Sequence, residues 1–168
     1  MQLETERLIL RRPGARDTDR AVAFFTSDRA RHVGGPYTPG AAWRHFAAEV
    51  GHWDLLGFGM WAFCARGDDT ALGLAGPWCP GDWPETEIGW VTFEGGEGKG
   101  FAFEAADAAL DHAFGTLGWP TAVSYIDADN ARSRTLAERL GARIDPDAPQ
   151  PRPDAPCLVY RHPARGRA

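Results

Sequence analysis

Glu87-Ile88-Gly89-Trp90-Val91-Thr92-Phe93-Glu94-Gly95-Gly96-Glu97-Gly98-Lys99-Gly100-Phe101-Ala102-Phe103-Glu104-Ala105 is the stretch that decides the fold. It reads as a strand over Thr86 to Phe93, a glycine-dense loop, and a helix. Phe103, Ala106, Leu110, Ala113 and Leu117 fall on one face of that helix. A P-loop would need G-x-x-x-x-G-K-[ST], but Gly98-Lys99 is followed by Gly100, and Phe93 stands where the first glycine belongs. The dinucleotide pattern G-x-G-x-x-G fails at Phe103. What remains is the general device of a glycine turn opening a helix. Its free N–H groups and the helix dipole favour an anion at one spot. A plain strand–helix turn is the alternative reading of the loop alone.

Outward from this unit, Leu3 to Arg12 reads as a first strand, with Leu8 and Leu10 on one face. Asp17 is placed to cap a helix of Thr18 to Ser27. Thr38-Pro39 opens a second helix carrying Trp43, Phe46, Ala47, Val50 and Trp53 at helical spacing. Phe58 to Ala65 and Ala71 to Trp78 read as two strands around a polar turn. After the glycine-loop helix come a strand at Thr121 to Asp127 and a helix capped by Asp129 or Asn130, ending at Gly141. Ala142 to Ile144 and Cys157 to Arg161 are last strands. Five prolines make Asp145 to Pro156 an excursion between them. The short basic tail, residues 164–168, is expected to fray beyond a single domain of residues 1–163. The order β-α-α-β-β-β-α-β-α-β-β points to a mixed α/β sheet with helices on both faces.

A chain of 168 residues is one domain's worth of sequence. Its net charge of -5 argues against nucleic acid as a partner, because phosphate backbones need a basic footprint. No apolar run approaches the ~20 residues of a membrane span. The start of the chain lacks the basic-then-apolar order of a secretory signal. Cys64, Cys79 and Cys157 form no C-x-x-C pair, and no histidine spacing suggests a metal, so none is assigned. Free thiols fit a reducing compartment, and a cytoplasmic location is expected.

Several spaced motifs share a resemblance. They are Leu3-Glu4-Thr5-Glu6-Arg7-Leu8-Ile9-Leu10-Arg11, Glu85-Thr86-Glu87-Ile88-Gly89-Trp90, the glycine loop, Asp129-Asn130-Ala131-Arg132-Ser133 and Leu140-Gly141-Ala142. In this order, over about residues 3 to 144, the chain resembles the GNAT N-acetyltransferase superfamily, and within it the branch that acetylates ribosomal-protein N-termini. The resemblance implies a single-domain, mostly antiparallel sheet of about seven strands flanked by helices. It implies acetyl-CoA as acyl donor and a primary amine as acceptor. The diphosphate would lie on the amides of Gly98, Lys99, Gly100, Phe101 and Ala102. The pantetheine arm would pair with backbone at Trp90, Val91 and Thr92 and with Asn130.

Two positions depart from the family pattern. Glu97 stands where the family usually has Gln or Arg, so it must point away from the diphosphate or be offset, with Lys99 the nearest cation. Ala137 stands where many members have a proton-donating tyrosine, and Ser133 is the replacement that the resemblance suggests. Glu87 is the candidate base for the amine proton, with a solvated strand residue as the alternative. Glu85, on the same strand face, is read as structural. Tyr125 is a reserve proton donor, and a backbone N–H near Val91 could polarise the thioester carbonyl. His32 and Tyr37 lie where the superfamily builds its acceptor pocket. The rival reading is a non-catalytic acyl-CoA-binding module. Homodimer formation is left open.

Overall fold

The computed structural model describes residues 2–165. Eight strands form one sheet: β1 (Gln2–Glu4), β2 (Leu8–Arg11), β3 (Trp61–Ala65), β4 (Gly73–Trp78), β5 (Glu87–Thr92), β6 (Val123–Ile126), β7 (Arg143–Ile144) and β8 (Leu158–Arg161). Their spatial order is β1-β2-β3-β4-β5-β6-β8-β7. Every neighbouring pair is antiparallel except β5 and β6, which run parallel. The α/β class and the mostly antiparallel sheet are as expected. The count is eight because the first segment is a hairpin rather than one strand. Glu4 pairs with Ile9, and Thr5 to Arg7 make the turn, closed where the Thr5 N–H bonds the Leu8 carbonyl at 3.0 Å.

Four α-helices flank the sheet: α1 (Thr18–Phe25), α2 (Pro39–Leu56), α3 (Phe101–Asp111) and α4 (Ala131–Arg139). Ala21, Phe24 and Phe25 of α1 and Phe46 of α2 pack with Ala62, Leu74 and Phe93 on one face. Ala105 and Ala109 of α3 pack with Leu8, Leu10 and Phe63 on the other. The helix begun by α3 continues through a π-type turn at His112–Thr116.

Capping follows expectation at α2 and departs from it at α1. The Thr38 hydroxyl accepts from the Ala41 N–H and Pro39 occupies the first turn, as expected. Asp17 does not cap α1: its carboxylate takes both Nη atoms of the buried Arg11, at 2.8 and 2.7 Å, and the Gly14 N–H at 2.9 Å, and ties β2 to the turn that opens α1. On α2 the buried residues are Ala42, Phe46, Glu49, His52 and Trp53. Phe46 and Trp53 fall where expected, Trp43 is exposed, and a carboxyl lies on the buried side. At the other end of the chain, Arg165 bonds Asp107 and Asp111 of α3 rather than fraying. The remainder of the expected tail, residues 166–168, lies outside the described residues.

Candidate active site

β5 and β6 share only one register pair, Glu87 with Val123, whereas β4 and β5 share six. The two strands therefore diverge beyond Ile88. At the apex the Ser124 hydroxyl donates to the Ile88 carbonyl at 2.6 Å, where a ladder bond would otherwise lie. That hydroxyl then accepts from His162 Nε2 at 2.9 Å, which fixes the ring tautomer. Burial pulls the His162 pKa down to about 4, so the ring is neutral. Past the apex, the β5 backbone groups of Trp90 and Thr92 face an open gap, whereas those of Gly89 and Val91 bond β4.

Two cavities meet at that gap. The larger, about 1100 Å³, runs from β5 over the glycine loop and between the starts of α3 and α4. Gly95, Gly98 and Gly100 take φ of 84°, 71° and 76°, left-handed values that only glycine adopts freely. A Cβ on Gly96 would stand 2.5 Å from the Leu72 carbonyl oxygen, so this turn cannot carry a side chain. No side chain caps α3, and its first N–H groups are open to the cavity. The loop is held from behind. Glu104 accepts from Thr5 Oγ1, the Arg7 N–H and Arg7 Nε, and Arg7 Nη1 donates to the Lys99 carbonyl at 2.9 Å.

Glu97 pairs with Arg29 Nη2, and that same guanidinium donates to the Thr92 carbonyl. Arg29, rather than Lys99, is thus the offsetting cation. Lys99 Nζ donates to the Gly95 carbonyl and stiffens the loop. Arg31, Arg132 and Arg139 add positive charge along the same cavity. Sequence reasoning missed Arg29 because nothing local connects the segment after α1 to a loop about 70 residues later.

The smaller cavity, about 360 Å³, lies between α2, β5, β6 and the proline-rich excursion. Tyr37, Met60, Trp78, Trp83 and Tyr125 supply its walls, and Glu49, Glu87, Asp127, His32, His45, Cys157 and Arg152 are among its ionisable groups. Trp90, Val91, His32, Val33, Asn130 and Ser133 line both cavities and mark their junction.

Glu87, at the start of β5, points into the smaller cavity. Burial lifts its pKa to about 7. The Trp83 indole N–H, 2.5 Å from Oε2, and the Tyr125 backbone N–H act in the opposite direction. A carboxyl balanced near neutrality suits general-base work. Glu85 is spent elsewhere: Arg161 grips both its oxygens, at 2.8 and 3.1 Å, as the structural reading expects.

Ser133 stands in the first turn of α4, where Asn130 Oδ1 caps its N–H at 3.2 Å. The Ser133 hydroxyl accepts from the Trp90 indole at 3.2 Å. Its own proton is therefore free to point into the junction. Asn130 Oδ1 is engaged by this cap, so only its Nδ2 group remains for a ligand. Ala137, the position of the missing tyrosine, is fully buried against Ile126 and Tyr160. Tyr125 lines the smaller cavity with an unpartnered buried hydroxyl, and burial raises its pKa. His32 Nδ1 sits 3.3 Å from Asp127 and 3.5 Å from Asp129. It ties the segment before α2 to the β6–α4 turn.

A sheet split between two parallel strands, with a glycine-lined helix start beside the split, defines an acyltransferase of the acyl-CoA-using kind. The chain belongs to the GNAT acetyltransferase family: residues 7–143 match the family model described as an acetyltransferase (GNAT) domain. It is 40% identical to an acetyltransferase of known structure from Agrobacterium tumefaciens str. C58, with a TM-score of 0.90 over 96% of this chain and 94% of that one. A candidate GNAT-family acetyltransferase from Bordetella pertussis matches at 27% identity and a TM-score of 0.77, over 97% and 99% of the two chains. A protein from Vibrio cholerae named as a candidate ribosomal-protein-serine acetyltransferase shares the fold, at 19% identity and a TM-score of 0.72, over 97% and 98%. GNAT acetyltransferases use acetyl-CoA as cosubstrate. Among the described residues, no helix is long and apolar enough to cross a membrane.

Proposed function

We propose that the protein transfers an acetyl group from acetyl-CoA to a primary amine by direct attack with both substrates bound. The observation that carries this reading is the meeting of the two cavities at Trp90 and Ser133, with Glu87 in the smaller one. The donor side fits the cosubstrate on three counts. Gly98 and Gly100 present bare backbone to the larger cavity, the α3 N–H groups are uncapped, and Arg29 neutralises the Glu97 carboxylate nearby. Gly98, Lys99, Gly100, Phe101 and Ala102 would hold the diphosphate. The outward backbone groups of β5, at Trp90 and the Thr92 N–H, with the Asn130 Nδ2 group, would hold the pantetheine arm, while Val91 turns its backbone to Leu74 of β4 and can meet the arm only through its side chain.

Bound acetyl-CoA supplies an activated acyl thioester at the junction. Glu87 then has one task, to take a proton from the acceptor ammonium onto Oε1 or Oε2, since only the neutral amine attacks. Its place on β5, next to the strand edge assigned to the donor, turns a bimolecular encounter into a positioned one. The outward Trp90 or Thr92 N–H of β5, rather than that of Val91, which faces Leu74 of β4, would polarise the acyl carbonyl. Ser133 donates its hydroxyl proton toward the departing sulfur, near a helix start whose dipole favours negative charge. The aromatic walls exclude water from the amine.

The test is a panel of primary amines incubated with acetyl-CoA and read by mass spectrometry. An acetylated amine together with free CoA is the expected product. CoA binding with no product from any amine would instead support a non-catalytic acyl-CoA-binding module.

A further inference from the structure

Glu49 is a buried carboxyl in the middle of α2, 1% exposed, on the stripe that also carries Ala42, Phe46 and Trp53. Its Oε2 has no hydrogen-bond partner, and Oε1 lies 3.9 Å from His45 Nε2, beyond hydrogen-bond reach. An apolar side chain would serve the core better, because an unsatisfied buried carboxyl destabilises a fold. Yet Glu49 lines the acceptor cavity and lies close enough to Glu87 for the two charges to oppose each other. At the same cavity Arg152 enters from the proline-rich excursion. That excursion is pinned by Gln150, which bonds the Cys157 carbonyl and N–H at 3.2 and 3.0 Å. Arg152 forms no ion pair among the described residues, and its charge is felt by Tyr37, Glu87 and Cys157, which all line the cavity. Its Nη1 and the Tyr37 hydroxyl both approach Gly34, the guanidinium at 4.0 Å from where a Cβ would stand and the hydroxyl closer.

The cavity therefore holds two acids that no cation contacts, a third, Asp127, beside His32, one cation that forms no ion pair among the described residues, and aromatic walls between them. We propose that Glu49 and Arg152 set acceptor specificity: the two carboxyls receive the amine, Arg152 receives a carboxylate, and the acceptor is a small zwitterion of the amino-acid class with an apolar side chain. This rests on the acyl-transfer reading and selects among its amines. A linear diamine would leave Arg152 opposed by a second positive charge. An amine without an anion would leave the guanidinium unused.

The test compares phenylalanine, its decarboxylated counterpart phenethylamine, and 1,5-diaminopentane as acceptors at saturating acetyl-CoA. The wild-type enzyme should prefer phenylalanine over phenethylamine by about tenfold or more in kcat/KM, as a charge-assisted pair provides. Arg152→Ala should erase that preference by raising KM for phenylalanine alone. Glu49→Gln should raise KM for phenylalanine and phenethylamine alike, with a smaller change in kcat. Glu49→Met should do the same while raising Tm, because it relieves a buried unpaired carboxyl. A preference for phenethylamine or the diamine would overturn the inference, as would an Arg152→Ala enzyme with unchanged selectivity. A Glu49→Met protein that is more stable and keeps its acceptor KM would reduce Glu49 to a core residue and overturn it too. Failure to acetylate any of the three, or any amine of the wider panel, would defeat the acyl-transfer reading itself.

Discussion

Replacing Glu87 and its partner Trp83 separates a working base from a strand carboxylate. Burial places the Glu87 pKa at about 7, against an ordinary value of 4.5. If Glu87 takes the amine proton, kcat/KM rises as pH climbs through about 7 and the carboxyl loses its own proton. Glu87→Gln should lower kcat by ~10²–10⁴-fold and remove that rising limb. The residual rate should still increase at high pH, where the amine ionises unaided. Trp83→Phe supplies the finer measurement. The indole N–H at 2.5 Å from Oε2 favours the ionised carboxyl. A hydrogen bond to a charged group contributes roughly 1.5–3 kcal/mol. At 1.36 kcal/mol per unit, its loss should move the limb upward by about one to two pH units. The assay is a continuous thiol-release measurement of kcat/KM across pH 5.5 to 10. A Glu87→Gln enzyme with the wild-type rate and limb would refute the reasoning, and so would a Trp83→Phe limb that stays in place.

Four further outcomes are expected. Because the folded pKa of Glu87 lies above its ordinary value, its stabilising contribution is complete below pH 4.5 and is lost as pH rises through about 7; Glu87→Gln should therefore raise Tm at pH 8 and leave it nearly unchanged at pH 4, as read by scanning calorimetry. Acetyl-CoA at a hundredfold excess over Kd should add ~2.7 kcal/mol, or roughly 5–10 °C in Tm, while Gly100→Val, which forces a branched side chain to φ of 76°, should abolish the shift and keep the circular dichroism spectrum. Arg29→Ala frees the Glu97 carboxylate beside the donor cleft and should weaken CoA binding, whereas adding Glu97→Gln should restore much of it in a calorimetric double-mutant cycle. Ser133→Ala should lower kcat and kcat/KM together with little change in the Kd of CoA, and a full-rate Ser133→Ala enzyme beside a slow Tyr125→Phe enzyme would move the proton-donor role to Tyr125.

The donor side of the site was legible because it is built from local chain. Strand β5, the glycine turn and the start of α3 are contiguous, so spacing alone placed Gly98 and Gly100 at a helix start. Asn130 and Ser133 were legible for the same reason, one capping the first turn of the other's helix. The acceptor side was not. Its groups come from α2, β5, β6 and the excursion before β8, and nothing in the spacing of Glu49, Glu87 and Arg152 brings them together. A signal for Glu49 did exist: it falls three residues after Phe46 and four before Trp53, on the face that helical geometry buries. The expected stripe of Trp43, Phe46, Ala47, Val50 and Trp53 shares Phe46 and Trp53 with the buried face, but it takes in Trp43 and passes over Glu49, because a carboxyl is not an apolar signal. The split of Leu3 to Arg12 into a hairpin was also hidden, since Leu8 and Leu10 alternate correctly whether the strand begins at residue 3 or 8. Asp17 looked like a cap of α1 by position, but its carboxylate turns back to a buried arginine on β2 and to the Gly14 N–H.

The central claim is that donor and acceptor meet at the split between β5 and β6. A crystal structure with CoA bound tests it most directly. The account predicts the diphosphate on the amides of Gly98 to Ala102, the pantetheine arm along Trp90 to Thr92, and the thiol beside Ser133 at the mouth of the cavity that holds Glu87. CoA bound elsewhere, or with its thiol facing away from that cavity, would contradict it.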